Sequence, residues 1–128
     1  MTWAIGAPGG DWSIDLGVMS DWVRREWPQA SEVRDSRWSS RAIVWTWPDS
    51  FEVSLGWFEV SHGAKYSGLT FSRPDTTRLA DFALKFYRHF GEGRQLVLAS
   101  GAGDLIDLQS MRDNAQLIAA IDGVEADE

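Results

Sequence analysis

The sequence has no cysteine among its 128 residues, so no disulfide and no thiolate metal site can hold it together. Its two histidines, His62 and His89, fall in different predicted elements and predict no metal centre. No apolar run approaches the ~20 residues that span a bilayer. The first ten residues lack the basic and apolar regions of a signal peptide. We therefore expect a cytoplasmic protein that folds without disulfide, metal or cofactor.

Basic residues are scarce in the C-terminal part of the chain. Residues 95–128 contain seven acids and a single base, Arg112, whereas residues 1–94 contain 12 acids and 11 bases. This acidity argues against nucleic acid, whose phosphates require lysine and arginine. It favours a basic protein partner that associates by electrostatic attraction. The alternative is a solvated acidic face, with a tail from about residue 124 to 128, that only aids solubility.

Catalytic and phosphate-binding motifs are also missing. The glycine-rich segment 6–10 contains Pro8 and no following lysine, and the segment 100–104 has too little chain after it for a nucleotide-binding fold. Both are predicted to be turns. The pair of carboxylates that we consider for acid–base work is Asp104 and Asp107, in and after the second of these segments. We predict a protein that is not an enzyme, with a small hydrolase that uses Asp104 and Asp107 as the alternative.

Tryptophan, by contrast, is abundant, and all of it lies in the N-terminal half. An indole brings a large apolar surface and an N–H group that needs a partner once buried. A domain of this size cannot place so many indoles in its core, so some are expected at a groove or an interface. The eight are Trp3, Trp12, Trp22, Trp27, Trp38, Trp45, Trp47 and Trp57.

The hydrophobic pattern predicts a single α+β domain with a mostly antiparallel sheet of about four to five strands and helices on one face. Three neighbouring strands with short turns form its centre. Two helices have clear apolar stripes, and a third is expected after a cap at Ser110. The predicted strands lie at residues 2–5, 41–47, 51–60, 66–72 and 95–99, with a further candidate strand at 105–108. The predicted helices lie near 16–27, 75–90 and 111–122.

Two aromatic positions and two acids are the candidate partner-binding residues. Trp45 and Trp47 point to one face of their predicted strand, where they either pack in the core or contact a partner. Trp57 lies on the next strand. Aromatic anchors give affinity and surrounding carboxylates give steering, so we select Trp47, Trp57, Asp104 and Asp107.

The chain resembles small acidic proteins of actinobacterial type that lack an assigned function. The residues that carry this resemblance are 32–38, 51–55 and 98–104. In size, acidity and order of strands and helices it is also similar to immunity proteins of bacterial toxin systems, which implies a module, monomeric or homodimeric, that neutralises a cognate toxin. The three-strand centre flanked by helices is similar to type III secretion chaperones, which implies a homodimer. A glycan-binding module that stacks sugars on Trp45, Trp47 or Trp57 is a further alternative.

Overall fold

The computed structural model describes residues 3–7, 14–34, 43–60, 63–72, 75–91 and 93–126 of the chain. Trp12, Trp38 and His62 lie outside these residues. The strands are β1 (Trp3–Gly6), β2 (Ser31–Arg34), β3 (Ile43–Thr46), β4 (Glu52–Val60), β5 (Gly63–Ser72), β6 (Val97–Ser100) and β7 (Leu105–Asp107). The helices are α1 (Leu16–Glu26), α2 (Thr76–Phe86) and α3 (Asn114–Ala126). A π-helical turn (Tyr87–Gly91) follows α2, and a 3-10 turn (Leu108–Ser110) follows β7.

The strands form one antiparallel sheet in the order β2-β3-β4-β5-β1-β6-β7. The predicted α+β class is confirmed, but the prediction of four to five strands is wrong, because the sheet has seven. Among the described strands, β2 is the one that lies outside the predicted strand positions. An edge strand pairs on one side only and exposes most of its side chains, so it needs no apolar alternation.

Two rows of apolar side chains cross the sheet on the face that is buried. One row aligns Trp45, Val53, Phe71 and Trp3 on consecutive strands, each at most 1% exposed. The parallel row, also buried, contains Ile43, Leu55, Leu69, Ile5 and Leu98. Because side chains alternate along a strand, the intervening residues on the opposite face are mostly small or polar, such as Ala4, Ser54, Thr70 and Ala99. The core therefore lies on one side of the sheet.

Local signals position α1 and α2 over that face. Asp15 caps α1 by accepting from the Val18 amide, and Asp75 caps α2 by accepting from the Thr77 amide, as these residue types predict. Gly91 ends the turn after α2 at a point where a Cβ would lie 2.5 Å from the Tyr87 ring. No larger residue fits there without movement of that ring, which explains the glycine.

Phe82 of α2 is the centre of the aromatic core. Its ring stacks on Trp27 with centroids 5.1 Å apart and makes edge contacts with Trp22 at 5.7 Å and Phe71 at 5.5 Å. Trp22 is only 2% exposed because α2 covers it. Trp22 of the N-terminal half is thus joined to the C-terminal half through Phe82 and through the rings of Phe86, His89 and Phe90.

The last helix begins later than predicted. Ser110 belongs to the 3-10 turn, and Asp113 instead accepts from the Gln116 amide at the start of α3. The helix buries Leu117 and Ile121 and continues through Ala126, into the segment that the sequence suggested as a tail. In the described residues, no helix is both long and apolar enough to cross a membrane.

Candidate functional site

The β6–β7 hairpin forms one edge of the sheet and carries both candidate aspartates. Its turn is closed by hydrogen bonds from the Ser100 amide to the Asp104 carbonyl, 2.9 Å, and from the Gly103 amide to the Ser100 carbonyl, 3.0 Å. Gly103 adopts φ +97°, a conformation that side-chain-bearing residues rarely take. The glycine-rich segment 100–104 is therefore a tight turn, as predicted, and it presents Asp104 at its end.

Local hydrogen bonds hold Asp104 and Asp107, which are both exposed. Asp104 Oδ2 accepts from the Ser100 hydroxyl at 3.2 Å, and that hydroxyl also accepts from the Asp104 amide. Asp107 Oδ1 accepts from the Gln109 amide at 3.0 Å and so caps the 3-10 turn. In each case the second carboxylate oxygen makes no hydrogen bond to the residues that the structure describes. The hairpin thus presents two ordered carboxylates with free acceptor oxygens.

An exposed leucine lies between these acids. Leu105 is 63% exposed, more than any other large apolar side chain in the described part of the chain. Ile106, the next residue, is buried at 7% because it points to the core face. Leu105 and Asp107 therefore share the opposite face of β7. An apolar group beside carboxylates on a strand edge is the combination expected of a protein-binding surface.

The other described acids of the C-terminal third lie on or beside α3. Asp113, Asp122 and Glu125 are exposed, and so is Arg112, the one base of this region. Arg112 contributes its carbonyl oxygen to a hydrogen bond from the Arg88 guanidinium at 3.0 Å. The negative charge of residues 95–128 is therefore at the surface wherever the structure describes these residues.

Trp47, the first aromatic candidate, lies in the core. It is 2% exposed and contacts the rings of Trp27, Phe51 and Phe82 with centroids 5.6, 5.1 and 6.0 Å away. In this conformation it has almost no surface to offer to a partner. Trp57 lies in β4 opposite Tyr66, next to a bulge, and its side chain is outside what the structure describes.

A shallow depression beside Trp47 is lined by aromatic and charged side chains. Trp27, Trp47, Phe51, Arg78, Asp81 and Phe82 line about 150 Å³ of space that opens to solvent. The Arg78 guanidinium lies over the Trp47 and Phe51 rings, 5.8 and 5.2 Å from their centroids, and pairs with Asp49 at 3.2 Å. The Trp47 Nε1 group is buried without a hydrogen-bond partner among the described residues. The guanidinium covers the rings, so this depression is an aromatic core edge rather than an open pocket.

Glu32 on the edge strand β2 organises the most connected polar cluster in the described residues. Its Oε1 accepts from the Ser20 hydroxyl at 2.6 Å and from Trp45 Nε1 at 3.0 Å, and its Oε2 accepts from Arg24 at 2.8 Å. Arg34 approaches Oε2 at 3.4 Å. The cluster ties β2 and β3 to α1, and sequence reasoning missed it because these residues are far apart in the chain and match no motif.

Hydrogen bonding determines the ionisation of Glu32. Burial alone would raise its pKa, but the hydrogen bonds from Ser20, Trp45 and Arg24, together with the positive charge of Arg24, hold the pKa below its ordinary value. Glu32 is therefore an anion that already has donors on both oxygens. It stabilises the fold and has little capacity left for acid–base chemistry.

The described residues contain no group of three or more histidine or acidic side chains that could hold a metal ion. His89 stacks on Trp22 with centroids 5.7 Å apart, at the end of the aromatic core. Asp104 and Asp107 have no described histidine or cation as a hydrogen-bond partner. No protein-family model, no curated protein and no solved structure matches the chain. The surface of the β6–β7 hairpin is therefore the feature from which we infer a function.

Proposed function

We propose that this protein is a non-enzymatic binding module that neutralises a basic protein, in the manner of an immunity protein that blocks its cognate toxin. The observation that carries the proposal is the exposed β6–β7 edge, where Leu105 lies between Asp104 and Asp107. The carboxylates attract and orient a basic partner, and the leucine supplies apolar contact once the partner has docked. This assignment takes Leu105 as the apolar anchor in place of the buried Trp47.

The exposure of the tryptophans favours protein binding over sugar binding. A glycan module stacks sugars on open aromatic faces, whereas Trp45 and Trp47 are 1% and 2% exposed. The positions of the aspartates likewise favour binding over hydrolysis. Both carboxylates lie at a solvent-exposed edge, whereas active sites normally place such groups in a cleft.

The proposal is tested by capturing the partner from a lysate of the native cell and then measuring the affinity of the purified pair at several salt concentrations. We expect a partner with net positive charge and an affinity that falls as salt rises. The double variant Asp104→Lys/Asp107→Lys is expected to weaken binding by about a hundredfold, because each reversal replaces attraction with repulsion. It should also fail to suppress the toxicity of the partner in cells.

A matched control reverses two exposed acids elsewhere. Asp21→Lys/Glu26→Lys on α1 changes the net charge by the same amount, and both residues are exposed. We expect this variant to weaken binding by no more than about threefold. The proposal is wrong if the partner is acidic, if salt has no effect, or if the two double variants weaken binding equally.

A further inference from the structure

One side of the β7 backbone faces away from the sheet and pairs with no other strand in the described part of the chain. The Ser100 amide donates to the Asp104 carbonyl and the Leu108 amide donates to the Leu96 carbonyl, so residues 104, 106 and 108 direct their backbone groups toward β6. In an antiparallel ladder the alternate residues direct theirs outward. Leu105 and Asp107 therefore present N–H and C=O groups at the free edge, where the one described contact is from the Ser110 hydroxyl to the Asp107 carbonyl.

From this edge we infer how the proposed basic partner is bound: an extended segment of it adds to β7 as a further antiparallel strand, with the pattern basic–any–apolar–basic. The inference rests on the proposed function and names the partner's binding element. Strand addition supplies backbone hydrogen bonds from the partner to Leu105 and Asp107. Antiparallel pairing of the added strand would continue the pattern of the sheet, in which all neighbouring strands are antiparallel.

The order of side chains on β7 gives the pattern. In an antiparallel pair, successive partner residues lie opposite Asp107, Ile106, Leu105 and Asp104. Side chains directly opposite each other interact, so a basic residue fits Asp107, an apolar residue fits Leu105 two positions later, and a second basic residue fits Asp104. The residue opposite Ile106 points to the other face and has no such requirement.

Charge decides between this partner and a second copy of the chain. Neither β6, β7 nor their turn contains a lysine or arginine. Two copies that paired through β7 would bring both Asp104 and both Asp107 carboxylates to one short seam, and like charges across strands are destabilising. An extended segment that carries two cations removes this repulsion, which makes it the occupant that fits the edge.

The test uses the full chain and the synthetic peptide acetyl-Thr-Lys-Thr-Val-Lys-Thr-amide as the probe. Titration is followed by the amide chemical shifts of the isotope-labelled protein. We expect the largest changes at the Leu105 and Asp107 amides, together with slower hydrogen exchange there, and no comparable change at the other sheet edge, β2. An isomer in which Val exchanges places with the preceding Thr should bind about threefold to tenfold more weakly, since its apolar side chain leaves the Leu105 face.

Two methylated peptides separate strand addition from simple charge attraction. N-methylation of Val removes the donor to the Leu105 carbonyl and should weaken binding by about tenfold or more, through the lost bond and the added bulk. N-methylation of the preceding Thr alters an N–H that points away from β7 and should change binding by less than about twofold. Equal binding of the two methylated peptides, or shift changes centred on α3, would overturn the inference, as would self-association through β7 without peptide binding.

The two proposals can fail separately. Strand addition alone is wrong if the native partner still depends on Asp104 and Asp107 while the two methylated peptides bind equally. The proposed function alone is wrong if the peptide binds in the expected register but the Asp104→Lys/Asp107→Lys variant still captures the native partner as well as the unaltered chain does.

Discussion

The aromatic core and the β6–β7 edge differ in what their side chains contact: those of the core pack against one another, and those of the edge face solvent. Around Phe82, rings of α1, α2 and the sheet contact one another, and Trp22, Trp27 and Trp47 are at most 9% exposed. At the edge, Leu105 is 63% exposed and two carboxylates face solvent. Trp22, Trp27 and Trp47, whose residue type suggests binding, are thus buried, while a leucine and two aspartates are exposed at the edge. Residue type alone does not identify a binding surface.

The largest expected effect comes from the centre of the core. Phe82→Ala should lower the free energy of unfolding by about 3–5 kcal/mol, because it removes a fully buried ring that contacts several others. Urea unfolding followed by tryptophan fluorescence measures the change. Binding of the basic partner, measured where the variant is still folded, should be unaltered. A loss of affinity in the folded variant would mean that core and edge are not independent.

The next effect concerns the glutamate that joins β2 to α1. Glu32→Gln should lower the free energy of unfolding by about 1–3 kcal/mol at neutral pH. The amide N–H₂ group of Gln would face Arg24 or the other donors and cannot accept a hydrogen bond from them. The ion pairs with Arg24 and Arg34 contribute little to this change, because these arginines are 58% and 52% exposed and solvent screens their charges. Chemical unfolding of both proteins at neutral pH measures the difference.

The same residue predicts a pH dependence. The pKa of Glu32 is lower in the folded than in the unfolded chain, so its contribution to stability is complete above the ordinary glutamate pKa. The contribution is lost as the pH falls through the lower pKa of the folded state. Wild type should therefore lose more stability than Glu32→Gln between about pH 7 and pH 3. Parallel acid-dependence curves for the two proteins would contradict this.

Two tryptophans of equal burial provide a smaller, matched comparison. Trp45 Nε1 donates to Glu32, whereas Trp47 Nε1 has no partner among the described residues. Trp45→Phe and Trp47→Phe both remove ring volume, but only the first removes a hydrogen bond. We expect Trp45→Phe to be the more destabilising by about 1 kcal/mol. Equal losses of stability in urea unfolding would contradict this prediction, because they would mean that the hydrogen bond from Trp45 Nε1 to Glu32 adds no measurable stability.

The smallest effect on stability is expected at the edge itself. Leu105→Ala should change the free energy of unfolding by less than about 0.5 kcal/mol, because the side chain is mostly exposed. The same change should weaken binding of the proposed basic partner by about tenfold, since we propose the leucine as the apolar contact of the site. A stability loss as large as that of Phe82→Ala would show that the edge belongs to the core.

Local sequence signals predicted much of the fold but not its edges. Apolar alternation predicted β4, and apolar stripes predicted the starts of α1 and α2 to within one residue. The edge strand β2 was missed, since its polar residues gain their order from pairing with β3 and from the Glu32 cluster. The prediction for Ser110 failed because a 3-10 turn separates it from α3. Pairing and turn geometry depend on contacts between distant residues, which local patterns do not contain.

The sequence by itself determined the α+β class, the absence of disulfides and the acidic C-terminal third, because these follow from composition and from short-range periodicity. Only the tertiary structure decided which apolar groups remain at the surface. Trp22 and Trp47 are buried because α2 brings Phe82 against them, and Leu105 is exposed because it points to the face of β7 opposite the core. Burial is a property of the assembled layers, so the candidate binding surface became visible only when sheet order and register were known.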